Sequence, residues 1–159
     1  MASGQDLAAP SLPGARLAVS DAGERDSDNA PPAKASALGL GAYHADVIRV
    51  IDGDTFEARV RVWPGLNVDT KVRLRNIDAP ELHARCADEF AKAQAARSAL
   101  QKMLAAGDVT VSQVGLDKYG GRIDAIVATR DTADVSAALL SGGFARSYNG
   151  GRRTTWCDS

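Results

Sequence analysis

The order of hydrophobic periodicities in this chain predicts a mainly β fold with helices (α+β). The architecture it matches is a five-stranded Greek-key barrel of the OB type with two or three packed helices. Three observations predict it. Strand-like segments recur five times between residues 43 and 129, a single long helical period interrupts them after the third, and Gly-, Asp- and Pro-bearing turns separate the segments.

Tyr43–Ile51 is rich in β-branched residues and ends at Asp52-Gly53-Asp54, a turn signal. Thr55–Trp63 then alternates, with Phe56, Ala58, Val60 and Val62 on one face and Glu57, Arg59 and Arg61 on the other. That period of two marks a half-buried strand, and Pro64-Gly65 breaks it. Val68–Ile77 resumes the alternation, Val72 and Leu74 opposing Arg73 and Arg75. Asp78-Ala79-Pro80-Glu81 must leave the strand, because Pro80 has no N–H for a ladder.

From Asp88 to Ala106 the period changes. Phe90, Ala93, Ala96, Leu100, Met103 and Leu104 fall on one helical stripe, Asp88 and Glu89 suit the N-terminal end, and Gly107 is a stop. Val109–Val114 reads as a strand, Gly115–Gly121 as a turn, and Ile123–Thr129 as a strand. A short helix over about Thr132–Leu140 starts at Asp131 or Thr132 and stops at Gly142-Gly143.

Composition sets where this domain begins. All eight aromatics of the 159-residue chain lie at or after Tyr43, whereas residues 1–41 hold 24 Ala, Gly, Ser or Pro, four of the six prolines among them. Such a segment has nothing large to bury and is expected to be a disordered tail, leaving 42–159 as the folded unit. A net charge of −1 excludes a protein held on nucleic acid by bulk positive charge, though not a local basic site. No apolar run approaches the roughly 18 residues of a membrane span, and the N-terminus shows no charged segment followed by an apolar one, as a signal peptide would.

The residues that carry chemistry gather at strand ends. Asp52 and Asp54 flank a glycine after the first strand, and Asp78 and Glu81 sit at the exit of the third. Two or three carboxylates with a backbone carbonyl would hold a hard divalent cation, although Asp-Gly-Asp alone is also an ordinary turn. An EF-hand loop is excluded, because its fifth and twelfth positions would be Phe56 and Trp63. Arg73, Arg75 and Arg122 are single strand arginines that could equally face solvent. Combined with the carboxylates they describe phosphodiester hydrolysis, in which guanidinium groups fork onto phosphate oxygens.

Ile51-Asp52-Gly53-Asp54-Thr55, Val72-Arg73-Leu74 running into Ile77-Asp78-Ala79-Pro80-Glu81, and Asp117-Lys118-Tyr119-Gly120 together resemble the thermonuclease (staphylococcal nuclease-like) family. The resemblance covers about 43–157. It implies an OB-fold barrel hydrolysing DNA and RNA with Ca²⁺ and leaving 3′-phosphate ends. Under it Asp54 and Asp78 are direct metal ligands, the Ala79 carbonyl is a further ligand oxygen, and Asp52 is an acid behind them. Glu81 is the catalytic glutamate, Arg73 and Arg122 are the phosphate-binding arginines, and Lys118, Tyr119 and Tyr148 contact the substrate. One departure concerns the second arginine: the family reads Asp-Lys-Tyr-Gly-Arg, whereas here Gly121 intervenes before Arg122. Either Gly121 is a one-residue bulge that keeps the arginine's aim, or Arg122 points to the other face.

Cys86 and Cys157 are the only cysteines; neither His44 nor His83 has ligand spacing to make a metal site with them. They are either two independent thiols or a disulfide tying the C-terminal segment to the loop before the long helix. A disulfide, with the family, would favour a periplasmic or secreted protein. The expectation is therefore a monomeric Ca²⁺-dependent nuclease with no membrane partner. Two alternatives stay open: a nucleic-acid-binding OB-fold module with weak or lost catalysis, and a metal-dependent enzyme on a small phosphate ester or sugar nucleotide.

Overall fold

Alternating apolar side chains roll the first strands into a barrel. In the computed structural model, which describes residues 41–118 and 120–157, the strands are β1 (Tyr43–Asp52), β2 (Thr55–Trp63), β3 (Leu66–Leu74), β4 (Ile77–Asp78), β5 (Thr110–Leu116), β6 (Arg122–Ala128) and β7 (Arg146–Ser147). The helices are α1 (Ala87–Leu104) and α2 (Val135–Ser141). The expected tail, residues 1–41, lies outside the described residues except for Gly41, and so does Tyr119.

The barrel closes in the order β1-β2-β3-β6-β5, all neighbours antiparallel except the parallel β3–β6 pair. That closed five-stranded barrel with two helices is the expected OB-like α+β fold. Phe56, Val72, Leu74, Val111 and Val127 fill its interior, and Leu100 from α1 with Val135 and Leu139 from α2 extend the core. Each such side chain contributes about 1.5–3 kcal/mol when taken fully out of water.

Several expectations are corrected. Val62 was expected on the buried face but is 39% exposed, as are Trp63 and Leu66 to a greater degree, because the β2–β3 hairpin runs past the end of the barrel. The third strand does not run through to Ile77. It ends at Leu74, Asn76 takes a left-handed φ of 68°, and Ile77–Asp78 forms a separate two-residue strand paired with β7, which the periodicity did not reveal. Phe90 leaves the apolar stripe of α1 for solvent; Glu89 takes the buried position ahead of Ala93, Ala96, Leu100 and Leu104. The N-cap of α1 is Cys86, whose sulfur accepts from Glu89 N, and the N-cap of α2 is Asp134 rather than Asp131 or Thr132.

Candidate active site

Two chain crossings build the site, and small residues permit both. A Cβ on Gly53 would lie 2.5 Å from Ala96 Cβ and 3.0 Å from Ala79 Cβ, so only glycine lets the β1–β2 turn rest on α1 and on the exit of β4. Asp54 is thereby buried at 7% exposure. Its Oδ1 accepts from Thr55 Oγ1 at 2.8 Å, its Oδ2 accepts from Ala79 N at 3.2 Å, and Arg73 Nη2 stands 3.6 Å away. Burial pushes the Asp54 carboxyl above its ordinary 3.8, with Arg73, Thr55 and Ala79 pulling the other way.

The β4–β7 pair supplies the second crossing. Asp78 lies opposite Arg146 in register and is 2% exposed. Its Oδ2 accepts from Trp156 Nε1 at 3.2 Å and has Arg146 Nη2 at 3.6 Å. Its Oδ1 is 3.1 Å from Arg153 Nε, close enough for an ion pair but not aligned for a hydrogen bond, so this buried oxygen is left without a hydrogen-bond donor. Pro80 then turns the chain out, and Glu81, half exposed, pairs with Arg153 Nη1.

Arg73 was expected on a polar strand face, yet Val72, Arg73 and Leu74 are all buried. Its guanidinium donates to Ile77 O at 3.2 Å and lies 5.7 Å from the Tyr148 ring centroid, which explains how a charged residue opposite the core is covered. Arg122 opens β6 and pairs with the Asp117 carboxylate, while Gly120 and Gly121 before it both take φ of 74°. Two successive glycines thus supply the left-handed backbone of this turn.

Arg73, Glu81, Lys118, Arg122 and Tyr148 line one cavity of about 880 Å³, with Arg75 and Arg153 also on its wall. Asp78, Ala79 and Glu81 line a second of about 180 Å³, with Trp156, and Glu81 and Arg153 belong to both. Asp54 joins this group through its bond to Ala79. Asp52 stays half-buried at the end of β1, opposite Thr55. Cys86 and Cys157 are joined as a disulfide, with Cα atoms 6.0 Å apart. Glu89 lies beside their sulfurs, but bonded sulfurs are not thiolates, so this trio is no metal site.

The family model of the staphylococcal nuclease homologue matches residues 71–156. The chain belongs to the staphylococcal nuclease homologue family. The match runs from Lys71 in β3 to Trp156, so it takes in Arg73, Asp78, Glu81 and Arg122 and leaves Asp54 outside. No curated protein matches the chain. Among the described residues, no helix of this staphylococcal nuclease homologue is long and apolar enough to cross a membrane.

Arg146 and Arg153 were not singled out from the sequence. The nearest sequence signal for Arg153 is Cys157, four positions on, which tethers this segment to Cys86 without fixing which of its residues reaches Glu81. The donors around Asp78 also suit a hard cation. They are carboxylate oxygens, one of them a buried oxygen lacking a donor, in a chain whose Asp54 is tied directly to Ala79.

Proposed function

We propose that this domain is a Ca²⁺-dependent nuclease that hydrolyses the phosphodiester bonds of DNA and RNA and leaves 3′-phosphate ends. The observation that carries the reading is that Arg73, Arg122 and Glu81 share one cavity, and that Glu81 also lines a second with Asp78 and Ala79. Asp54, Asp78 and the Ala79 carbonyl would hold the ion, with Asp52 as an acid behind them. When bound, Ca²⁺ supplies a positive charge that polarises a phosphate oxygen. Glu81 orients water and takes its proton at the carboxylate as the water oxygen attacks phosphorus. The bond from phosphorus to the 5′ oxygen breaks, and that oxygen leaves as a hydroxyl with a proton from solvent. Arg73 and Arg122 neutralise charge that grows on the phosphate oxygens. Lys118, Tyr119 and Tyr148 hold the flanking nucleotides. The working unit in this reading is a monomer, since the reading assigns no role to a second chain.

A second reading, a binding module with weak catalysis, is favoured by the contact of Arg153 with Glu81, since a carboxylate engaged by a guanidinium has one oxygen occupied where water would have to sit. One assay separates the two. Single-stranded DNA and RNA are incubated with Ca²⁺, Mg²⁺ or EDTA, using wild type and Glu81→Gln. Cleavage with Ca²⁺ that is lost in EDTA and strongly reduced in Glu81→Gln is expected. Binding of the oligonucleotide without any cleavage would establish the module instead.

A further inference from the structure

The last residues before the disulfide form neither helix nor strand, yet they are tied down along their length. Cys157 is bonded to Cys86, and Trp156 Nε1 donates to Asp78 Oδ2. Arg146 stacks on the Trp156 ring at 3.8 Å and donates to the carbonyl oxygens of Thr154 and Thr155. This strap delivers Arg153 to the acidic pair: its Nε is 3.1 Å from Asp78 Oδ1 and its Nη1 meets Glu81 Oε1.

From this geometry we infer that Arg153 is the resident cation of the acidic site, which a divalent ion must displace from Asp78, and which therefore sets how tightly that ion is held. The inference rests on the reading of Asp54, Asp78 and Ala79 as ligands. A ligand oxygen sits 2.3–2.6 Å from Ca²⁺. A guanidinium left 3.1 Å from that same oxygen would stand against a double positive charge in a poorly hydrated place, so it must withdraw.

The other two arginines near the pair are held differently. Arg73 is buried and fixed on Ile77 O, and Arg146 is fixed on Trp156 and two carbonyls. Arg153 is 39% exposed at its side chain, its partners are two carboxylates and the face of Tyr148, and it borders the larger cavity. It has somewhere to go. Withdrawal into that cavity would leave it beside Arg73 and Arg122.

Calorimetric titration of the full chain with CaCl₂ tests this. Arg153→Gln should bind Ca²⁺ roughly tenfold more tightly than wild type, the scale of one neighbouring charge removed from a partly buried site. Arg153→Met, which keeps an apolar stem over Tyr148, should do the same. Arg153→Lys retains the charge and should stay near wild type. Thermal melts without the ion establish that each variant is folded. Equal or weaker binding by folded Arg153→Gln and Arg153→Met overturns the inference, as does a lysine variant that binds as tightly as they do. If neither wild type nor any variant takes up Ca²⁺, the calcium reading itself falls and this inference with it.

Discussion

The backbone N–H of Ala79 donates to Asp54 Oδ2 at 3.2 Å, joining the β1–β2 turn to the chain just past β4. Residues 25 positions apart are thereby held in one site. A second bond, from Leu74 N to Asp54 O at 2.9 Å, fixes the same turn to the end of β3. Asp54 is positioned by backbone on both sides.

Gly53 is what allows that approach, so Gly53→Ala is expected to push the turn off α1. The new methyl would stand 2.5 Å from Ala96 Cβ. Overpacking of this kind costs about 1–3 kcal/mol. Chemical denaturation should show that loss, and calcium affinity should fall with it, because Asp54 moves with the turn. Adding Ala96→Gly opens space on the helix and should restore part of both. A Gly53→Ala protein of wild-type stability would show that the turn does not depend on this contact.

The barrel was legible in the sequence because a strand that buries one face must alternate; Phe56, Ala58 and Val60 of β2 carry that signal without ambiguity. The signal failed where burial stopped following it. Val62 keeps the alternation in sequence but lies on a hairpin arm beyond the core, and Arg73 breaks it by being buried on the polar side under Tyr148. β4 and β7 are two residues each, too short to show any period. The acidic residues were visible as turn-flanking carboxylates. Arg153 was not, because its place depends on a disulfide and a strap with no secondary structure.

The β2–β3 arm has its own electrostatic support. Arg59 pairs with Asp69 through two hydrogen bonds of 2.7 and 2.8 Å, which hold the Asp69 carboxyl below its usual 3.8. A lowered folded value means that stability from this group is present above the unfolded 3.8 and is lost as pH falls through the folded value. Asp69→Asn should therefore melt slightly below wild type at neutral pH, with the gap closing in acid under about pH 3.8. The effect is small, since the pair is exposed to solvent. Melting curves of both proteins from pH 7 to 2.5 would show this. A gap that widened in acid would contradict it.

Reduction of Cys86–Cys157 should lower stability and loosen the site together. The bond closes a loop of 71 residues, worth about 4 kcal/mol in the chain-entropy model. It also anchors Trp156, whose N–H reaches Asp78. Cys86→Ser/Cys157→Ser is expected to melt well below oxidised wild type and to match reduced wild type. Trp156 fluorescence should shift to the red as the strap is released into water. An unchanged melt on full reduction, checked by intact mass, would mean that the strap is held by its other contacts alone.

Arg122 lines the large cavity together with Arg73 and Glu81, and it opens β6 opposite Lys71 of β3 in parallel register. Its Nε is turned onto Asp117, itself 9% exposed, so the guanidinium is aimed by a buried carboxylate and by the two left-handed glycines that precede it. If hydrolysis proceeds as proposed, this is the second cation meeting the phosphate, opposite Arg73. Removing one preorganised charge of that kind lowers turnover by roughly a hundredfold. Arg122→Ala should show that loss in kcat on single-stranded DNA with Ca²⁺, measured below its own melting transition because the buried Asp117 loses this ion pair. Asp117→Asn keeps the guanidinium but slackens its aim, so its kcat should fall less. If Arg122→Ala turned over as fast as wild type, the phosphate would have to be bound elsewhere on the wall, at Arg75 or Arg153, and the pairing of Arg73 with Arg122 would be wrong.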